Sequence, residues 1–253
     1  MNGKLKSYIT IIAYLIVGLV VMGTSQLLTT PDWLNSAFIV LLLFVVVNIL
    51  TAKFFQLKND IQFFWSLNKI YFLPIGIVVG GLIATSPILV GLVTGMTNTD
   101  TLTLKTTFTT TSIVVTLAIV TWEELWFRGI FLNYCNKNLS AINISLTIGL
   151  LFTLVHLLNP EINLLKTGLT LFFAGAFLTI VYFYFKTIWL PIGLHFGNNY
   201  LTIDNKLENH WFLGNEGYLG TIILAGLFFI FVKLTLNKTN LTKLDSENKM
   251  GYS

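Results

Sequence analysis

Glu123, Glu124 and Arg128 fall within six residues of one another inside an otherwise unbroken apolar run, Ile119-Val-Thr-Trp-Glu-Glu-Leu-Trp-Phe-Arg-Gly-Ile-Phe-Leu132. A charged side chain in such a run costs about 2.5–3.5 kcal/mol on insertion into a bilayer, so it faces a cavity or a partner and carries function. At about 100° per residue, Glu124 and Arg128 lie one helical turn apart and can form an ion pair. Glu123 sits about 140° around the helix from Arg128 and is left free for chemistry or for a metal. A second run carries Phe152-Thr-Leu-Val-His156, and a third carries His195-Phe-Gly-Asn-Asn199. In each, the first and last residues share a helix face. Asn198 lies off that face and reads as structural, as does His210, which stands beside Trp211 in an outer loop. A lone histidine in an apolar helix is more often a hydrogen-bonded packing residue. Two acids, two histidines and an amide on three runs are harder to explain that way, because a purely structural bundle would use apolar residues there.

This set suits peptide hydrolysis. A carboxylate beside a histidine can take a proton from water, and Glu123 with His156 fits that role. A second histidine and an amide can donate hydrogen bonds to the oxyanion, each such donor being worth about 2.7–4 kcal/mol. His195 and Asn199 fit that one. Glu123, His156 and His195 also make a two-histidine, one-carboxylate set that could hold zinc with an open position for water. The sequence leaves the metal-dependent and metal-free versions both open. Other hydrolytic routes are poorly served: HExxH and GxSxG are absent, the intramembrane serines Ser112 and Ser145 have no histidine at a suggestive position, and no span contains the aspartates that a paired-aspartate protease needs.

The elements that must position these residues are membrane helices. Of 253 residues, 55% are apolar, 14% aromatic and only 10% charged, with a mean hydropathy of +0.77. A soluble domain carries about 25% charged residues. An all-α polytopic membrane protein with about eight transmembrane helices is therefore expected, at Tyr8–Leu28, Leu34–Phe55, Tyr71–Thr94, Ser112–Tyr134, Ala141–Leu158, Leu164–Phe185, Ile188–Leu201 and Tyr218–Leu236. The first is read as a retained helix, since its apolar run exceeds a signal-peptide core and no A-x-A-like site follows. With the N-terminus in the cytoplasm, only Lys105, Lys166 and Lys206 of the 15 basic residues fall in outer loops, which puts both termini on the cytoplasmic side. Counted inward from that edge, His195 lies about 10 Å deep, Asn199 about 17 Å, and Glu123 and His156 about 15–24 Å, depths that allow one cavity near mid-membrane. The net charge of +4 is spread as isolated residues rather than a basic stripe, so nucleic acid is not an expected partner. The single cysteine, Cys135, excludes an internal disulfide. Thr97–Thr111 reads as a polar outer loop and residues 238–253 as a disordered cytoplasmic tail. Gly76 with Gly80, Gly91 with Gly95, and Gly193 with Gly197 have the small-xxx-small spacing of closely packed helices.

Glu123-Glu124-x-x-x-Arg128, Phe152-x-x-x-His156 and His195-x-x-x-Asn199, in this order on successive helices, resemble the three motifs of the CAAX protease and bacteriocin-processing (CPBP, or Abi) family. The resemblance covers residues 110–202, with no departure at any motif position. It implies an eight-helix intramembrane endopeptidase occupying residues 1–237, with its active site inside the bundle. It further implies that Glu123 and His156 activate water and that His195 and Asn199 stabilise the oxyanion, with Glu124, Arg128 and Phe152 in support. The family is often labelled a metalloprotease, with zinc as the possible metal, while a glutamate-dependent, metal-free mechanism is also proposed. Its eukaryotic members remove the last three residues of prenylated CaaX proteins, and bacterial relatives are linked to bacteriocin immunity and peptide maturation. Abundant Lys, Asn, Ile and Phe with scarce Arg looks like an AT-rich bacterial genome. The expected setting is thus a bacterial plasma membrane, with a membrane-associated peptide or protein as substrate. Two rivals stand beside this reading: a proton- or cation-coupled transporter, against which the polar residues crowd one half of the chain, and a non-catalytic immunity or partner-binding protein.

Overall fold

The computed structural model describes residues 67–96, 103–104, 110–132, 140–156, 164–200, 203–204, 212–213 and 218–250. The two expected spans Tyr8–Leu28 and Leu34–Phe55, together with Cys135 and His210, lie outside the described residues. Those described form a helical bundle: α1 (Phe72–Val93), α2 (Thr110–Glu124), a π-helical segment (Leu125–Phe131) that follows α2 directly, α3 (Ala141–His156), α4 (Leu164–Phe185), α5 (Trp189–Tyr200) and α6 (Tyr218–Met250). A two-residue antiparallel pairing joins β1 (Thr103–Leu104) to β2 (Ile203–Asp204), tying the segment before α2 to the segment after α5.

Three of these helices are long and apolar enough to cross a membrane, over Phe72–Val93, Thr167–Phe185 and Tyr218–Lys238, and α3 is a shorter apolar helix. Eight spans are expected from the sequence, and among the described residues three reach full length. The shortfall has physical causes. Regular α-helix in the α2 run stops after 15 residues, where the π-helical segment takes over, and α5 has 12 residues, about 18 Å against a hydrocarbon thickness of about 30 Å. Helix α5 need not reach both lipid surfaces, because every residue from Leu190 to Gly197 is buried in protein. The full-length helices instead present apolar side chains outward, Val78 and Leu82 on α1 and Ile222 and Phe229 on α6 among them, as lipid contact requires. Helix α6 also corrects one expectation. It continues as helix through the polar segment to Met250, and no Gly or Pro between residues 227 and 250 interrupts it.

The seat of the polar residues is fixed by two close helix contacts. Helices α1 and α5 interlock through glycines: a Cβ on Gly76 would meet Leu190 O, Leu194 N and Gly193 Cα, and one on Gly197 would meet Ile77 O and Gly81 N. These pairs increase together along both chains, so the two helices run in the same direction. The spacing read in the sequence as ordinary close packing thus joins two of the three pairs, Gly76/Gly80 and Gly193/Gly197, to each other. Likewise α3 and α4 meet where Gly149 faces Phe172 O and Gly175 faces Phe152. Around α4 the buried cluster is continuous, with Ala176, Phe177, Ile180 and Val181 packed against Leu190 and Leu194 of α5 and Leu224 and Phe228 of α6. Between helices in lipid such a cluster stabilises the packed state through close van der Waals contact rather than through transfer from water.

Helix α4 ends where Lys186 takes a left-handed φ of 52°, and Thr187 Oγ1 accepts the backbone N–H of Trp189 at the start of α5. The last carbonyls of α4 are met by lysines from distant parts of the chain. Lys69 Nζ donates to Phe185 O and Lys186 O, both at 3.1 Å, and Lys238 Nζ donates to Tyr184 O at 3.3 Å. Ammonium groups suit a helix C-terminus, where unpaired carbonyls concentrate negative potential.

Candidate active site

The π-helical segment begins one residue after Glu124, so the widened turn carries Arg128 while Glu123 and Glu124 close the regular helix. Such bulges insert an extra residue into the helical ladder and recur at functional sites. The ion pair expected from regular helical geometry survives the widening: Arg128 Nη1 donates to Glu124 Oε1 at 2.9 Å, with both side chains fully buried. Arg128 is held on two further sides, by Thr179 Oγ1 at 3.2 Å from Nε and by Gly175 O at 2.7 Å from Nη2.

Glu124 does more than balance Arg128. His195 Nδ1 lies 2.9 Å from the same Oε1, and since a carboxylate only accepts, Nδ1 carries the proton. This leaves Nε2 of His195 as the nitrogen open to chemistry, and it stands 3.6 Å from Glu123 Oε2. That separation is too long for a direct hydrogen bond, and a water bonded to both would sit to one side of the line joining them. The carboxylate on α2 and the histidine on α5 are thus brought together, with Glu123 13% exposed and His195 8% exposed by side chain.

His156, at the end of α3, is oriented differently. Its Nδ1 lies 2.8 Å from the carbonyl of Phe152 one turn earlier, so in the neutral ring the proton is on Nδ1 and the lone pair on Nε2. The Phe152 ring links the two histidines, with centroid distances of 4.3 Å to His156 and 5.8 Å to His195. The Arg128 guanidinium carbon also stands 5.7 Å from its centroid, within cation–π range. Phe152 is therefore the shared wall of the site. The expected pairing of Glu123 with His156 is not what the geometry gives: among the described residues, the histidine within ion-pair reach of Glu123 is His195.

His156, His195 and Asn199 line one cavity of about 350 Å³ between α1, α3, α4, α5 and α6. Its other walls are mainly apolar, including Gly80, Ala84, Ala174 and Leu224. Asn198 lines it too, correcting its reading as structural, and its Nδ2 donates to Asn199 Oδ1 at 3.5 Å. Both asparagines are exposed because α5 ends one residue later, at Tyr200, so its final turn opens on the cavity. The two serines weighed as nucleophiles are engaged elsewhere: Ser145 Oγ donates to Ala141 O at 2.7 Å, and Ser112 is paired with the Tyr200 hydroxyl at 3.0 Å.

The zinc set Glu123, His156 and His195 does not assemble. Among the described residues, no group of three His, Cys, Asp or Glu side chains is placed to hold a metal ion. His156 Nδ1 donates to a backbone carbonyl and His195 Nδ1 to Glu124, an orientation that leaves each Nε2 free and is itself compatible with metal binding; it is the spacing of the three side chains that does not form the ligand sphere. Thr179, Gly175 and the second partner of Glu124 were missed by the sequence reading. The Glu124–His195 contact spans 71 residues, and no local spacing signals it.

A polar, hydrogen-bonded cluster enclosed by apolar helices marks an integral membrane protein with a buried candidate site. Residues 105–201 match the family model described as Type II CAAX prenyl endopeptidase Rce1-like, in agreement with the motif resemblance read in the sequence. The matched segment contains Glu123, His156, His195 and Asn199. No curated protein and no solved structure matches the chain.

Proposed function

We propose that this protein is an intramembrane endopeptidase that hydrolyses a peptide bond with water activated by Glu123. The observation that carries the reading is the 3.6 Å gap between Glu123 Oε2 and His195 Nε2, beside a cavity lined by His156 and Asn199. One water bridging that gap from the side gives a proton to Glu123 as its oxygen attacks the carbonyl carbon. His156, bare at Nε2, accepts the water's other hydrogen and aims its lone pair. The oxyanion is met by Asn199 Nδ2 and by a proton on His195 Nε2, the ring being held and electrostatically supported by Glu124. Glu123 then passes its proton to the leaving amine, which breaks the C–N bond and restores the carboxylate. No step is routed through a metal.

The surroundings of this site extend the proposal. Eight spans with both termini in the cytoplasm account for the basic-residue asymmetry, and Lys69, Lys186 and Lys238 meet at one end of the bundle. The composition favours a bacterial plasma membrane, where the substrate is a membrane-associated peptide and the role is bacteriocin immunity or peptide maturation. The test compares peptides accumulating in cells that carry the wild type or Glu123→Gln. Peptides cleaved only by the wild type identify the substrate, and identical peptide sets from two equally expressed proteins refute the proteolytic reading.

A further inference from the structure

Helix α4 contributes no residue to the three motifs, yet it grips the site from behind. Thr179 is fully buried, and its Oγ1 makes two hydrogen bonds: it donates to Gly175 O at 2.8 Å and accepts from Arg128 Nε at 3.2 Å. A threonine hydroxyl has one proton. With that proton committed to Gly175 O, the oxygen presents a lone pair to Arg128, and the β-branch keeps it from rotating away. Gly175 O also accepts Arg128 Nη2 at 2.7 Å. The guanidinium is therefore clamped at Nε and Nη2 by one turn of α4, and its remaining face points Nη1 at Glu124 Oε1.

That oxygen is the critical one, since Oε1 of Glu124 receives both Arg128 and His195, while the fully buried Oε2 has no hydrogen-bond partner among the described residues. Among the described residues, Arg128 and His195 are the hydrogen-bond partners that fix the rotation of the carboxylate. Its position is set by Arg128, and the position of Arg128 is set by Thr179 and Gly175.

We infer that Thr179 is a positioning residue for the reaction: its hydroxyl, acting through Arg128 and Glu124, sets the angle of the His195 ring and so the gap between Nε2 and Glu123. The inference rests on the endopeptidase reading for its kinetic consequence, though not for its structural one. Loss of such a positioning contact is expected to lower the rate by up to about 100-fold, the cost of misplacing a reacting group by about 1 Å.

The test uses the full-length protein in detergent with a fluorescence-quenched prenylated CaaX peptide as the probe. Thr179→Val, which keeps the shape and removes the hydroxyl, lowers kcat about 10- to 100-fold with KM changed less than about twofold. Thr179→Ser, which restores the hydroxyl, recovers most of the rate. A packing role would give the opposite order, with Val tolerated and Ser impaired, and that order overturns the inference. A second readout needs no substrate: with ¹⁵N-labelled histidine, the Nδ1–H signal assigned through His195→Gln shifts in Thr179→Val and is restored in Thr179→Ser. Unchanged His195 signals in Thr179→Val also overturn it. Should Thr179→Val fail to accumulate, Thr179→Cys carries the same two measurements, with an intermediate rate and shift expected. Glu123→Gln separates the two ideas. If it cleaves the probe at the wild-type rate, the endopeptidase mechanism fails and the positioning claim is judged on the spectra. If it is inactive while Thr179→Val is fully active, the positioning claim alone fails.

Discussion

Replacing Gly76 by alanine adds one methyl group to a helix that carries none of the candidate catalytic residues, yet on the proposed mechanism it should cripple cleavage. A Cβ at residue 76 would stand 2.7 Å from Leu190 O, 2.8 Å from Leu194 N and 2.9 Å from Gly193 Cα. All three are backbone atoms of α5, so no side chain can rotate aside. Reaching the 3.4 Å of ordinary contact from 2.7 Å requires α1 and α5 to part by at least 0.7 Å at this point. His195 follows Leu194 directly, so the displacement reaches the ring that faces Glu123. A misplacement of about 1 Å can cost about 100-fold, which puts the expected fall in kcat/KM at about 10- to 100-fold. Overpacking destabilises by about 1–3 kcal/mol, partly offset by the gain of up to about 1 kcal/mol in helix propensity from Gly to Ala. The assay is peptide cleavage by purified protein alongside thermal unfolding. Gly226→Ala on α6, where a Cβ meets nothing within 4 Å, is the control, and it should match or exceed the wild type in stability with unaltered cleavage. A Gly76→Ala protein with wild-type kcat/KM would refute the claim that the glycine interlock sets the position of His195.

Three further outcomes are expected. Arg128→Ala leaves Glu124 buried without its cation and should destabilise the protein by about 3–5 kcal/mol, read as loss of folded protein in detergent or a large drop in Tm. Asn199→Ala should lower kcat about 100- to 1,000-fold through the lost oxyanion donor with little change in KM, while Asn198→Ala, which removes the hydrogen bond to Asn199 Oδ1 but no oxyanion donor, should have a smaller effect. Treatment with a chelator, followed by metal analysis, should leave cleavage unchanged, since no three described ligand-type side chains converge; activity lost on chelation and restored by zinc would contradict this.

The sequence made the helices legible where a long apolar run meets clear ends. Helix α4 occupies the expected Leu164–Phe185, and α1 falls within one residue of expectation at each end. It also made legible what one helical turn can join, which is why Glu124–Arg128 and Phe152–His156 were readable as pairs. The partnership of Glu124 with His195 was not readable, because it depends on α5 being drawn against α2 by packing that involves α1, and the glycines responsible lie more than 100 residues apart. Asn198 was misjudged for a different reason. Helical periodicity assigns it to a separate face, but α5 stops at Tyr200, and in a last turn open to a cavity both neighbours are accessible. The role of Thr179 gave no signal at all, since a threonine within an apolar helix is ordinary and only its contact with Arg128 marks it.

The lysines gripping the end of α4 carry a consequence for the substrate. Ammonium groups resist submersion in hydrocarbon, so Lys69 and Lys238, moored to the carbonyls of Tyr184, Phe185 and Lys186, act as a waterline for the bundle. His195 lies six residues beyond Trp189 at the start of α5, roughly 9 Å beneath that level at about 1.5 Å per residue. On the proposed endopeptidase reading, a scissile bond must be drawn down by that amount, shedding its hydration on the way. Short, loosely structured stretches flanking a membrane anchor can make that descent; the middle of a stable transmembrane helix, whose amides are already paired, cannot do so without first unwinding.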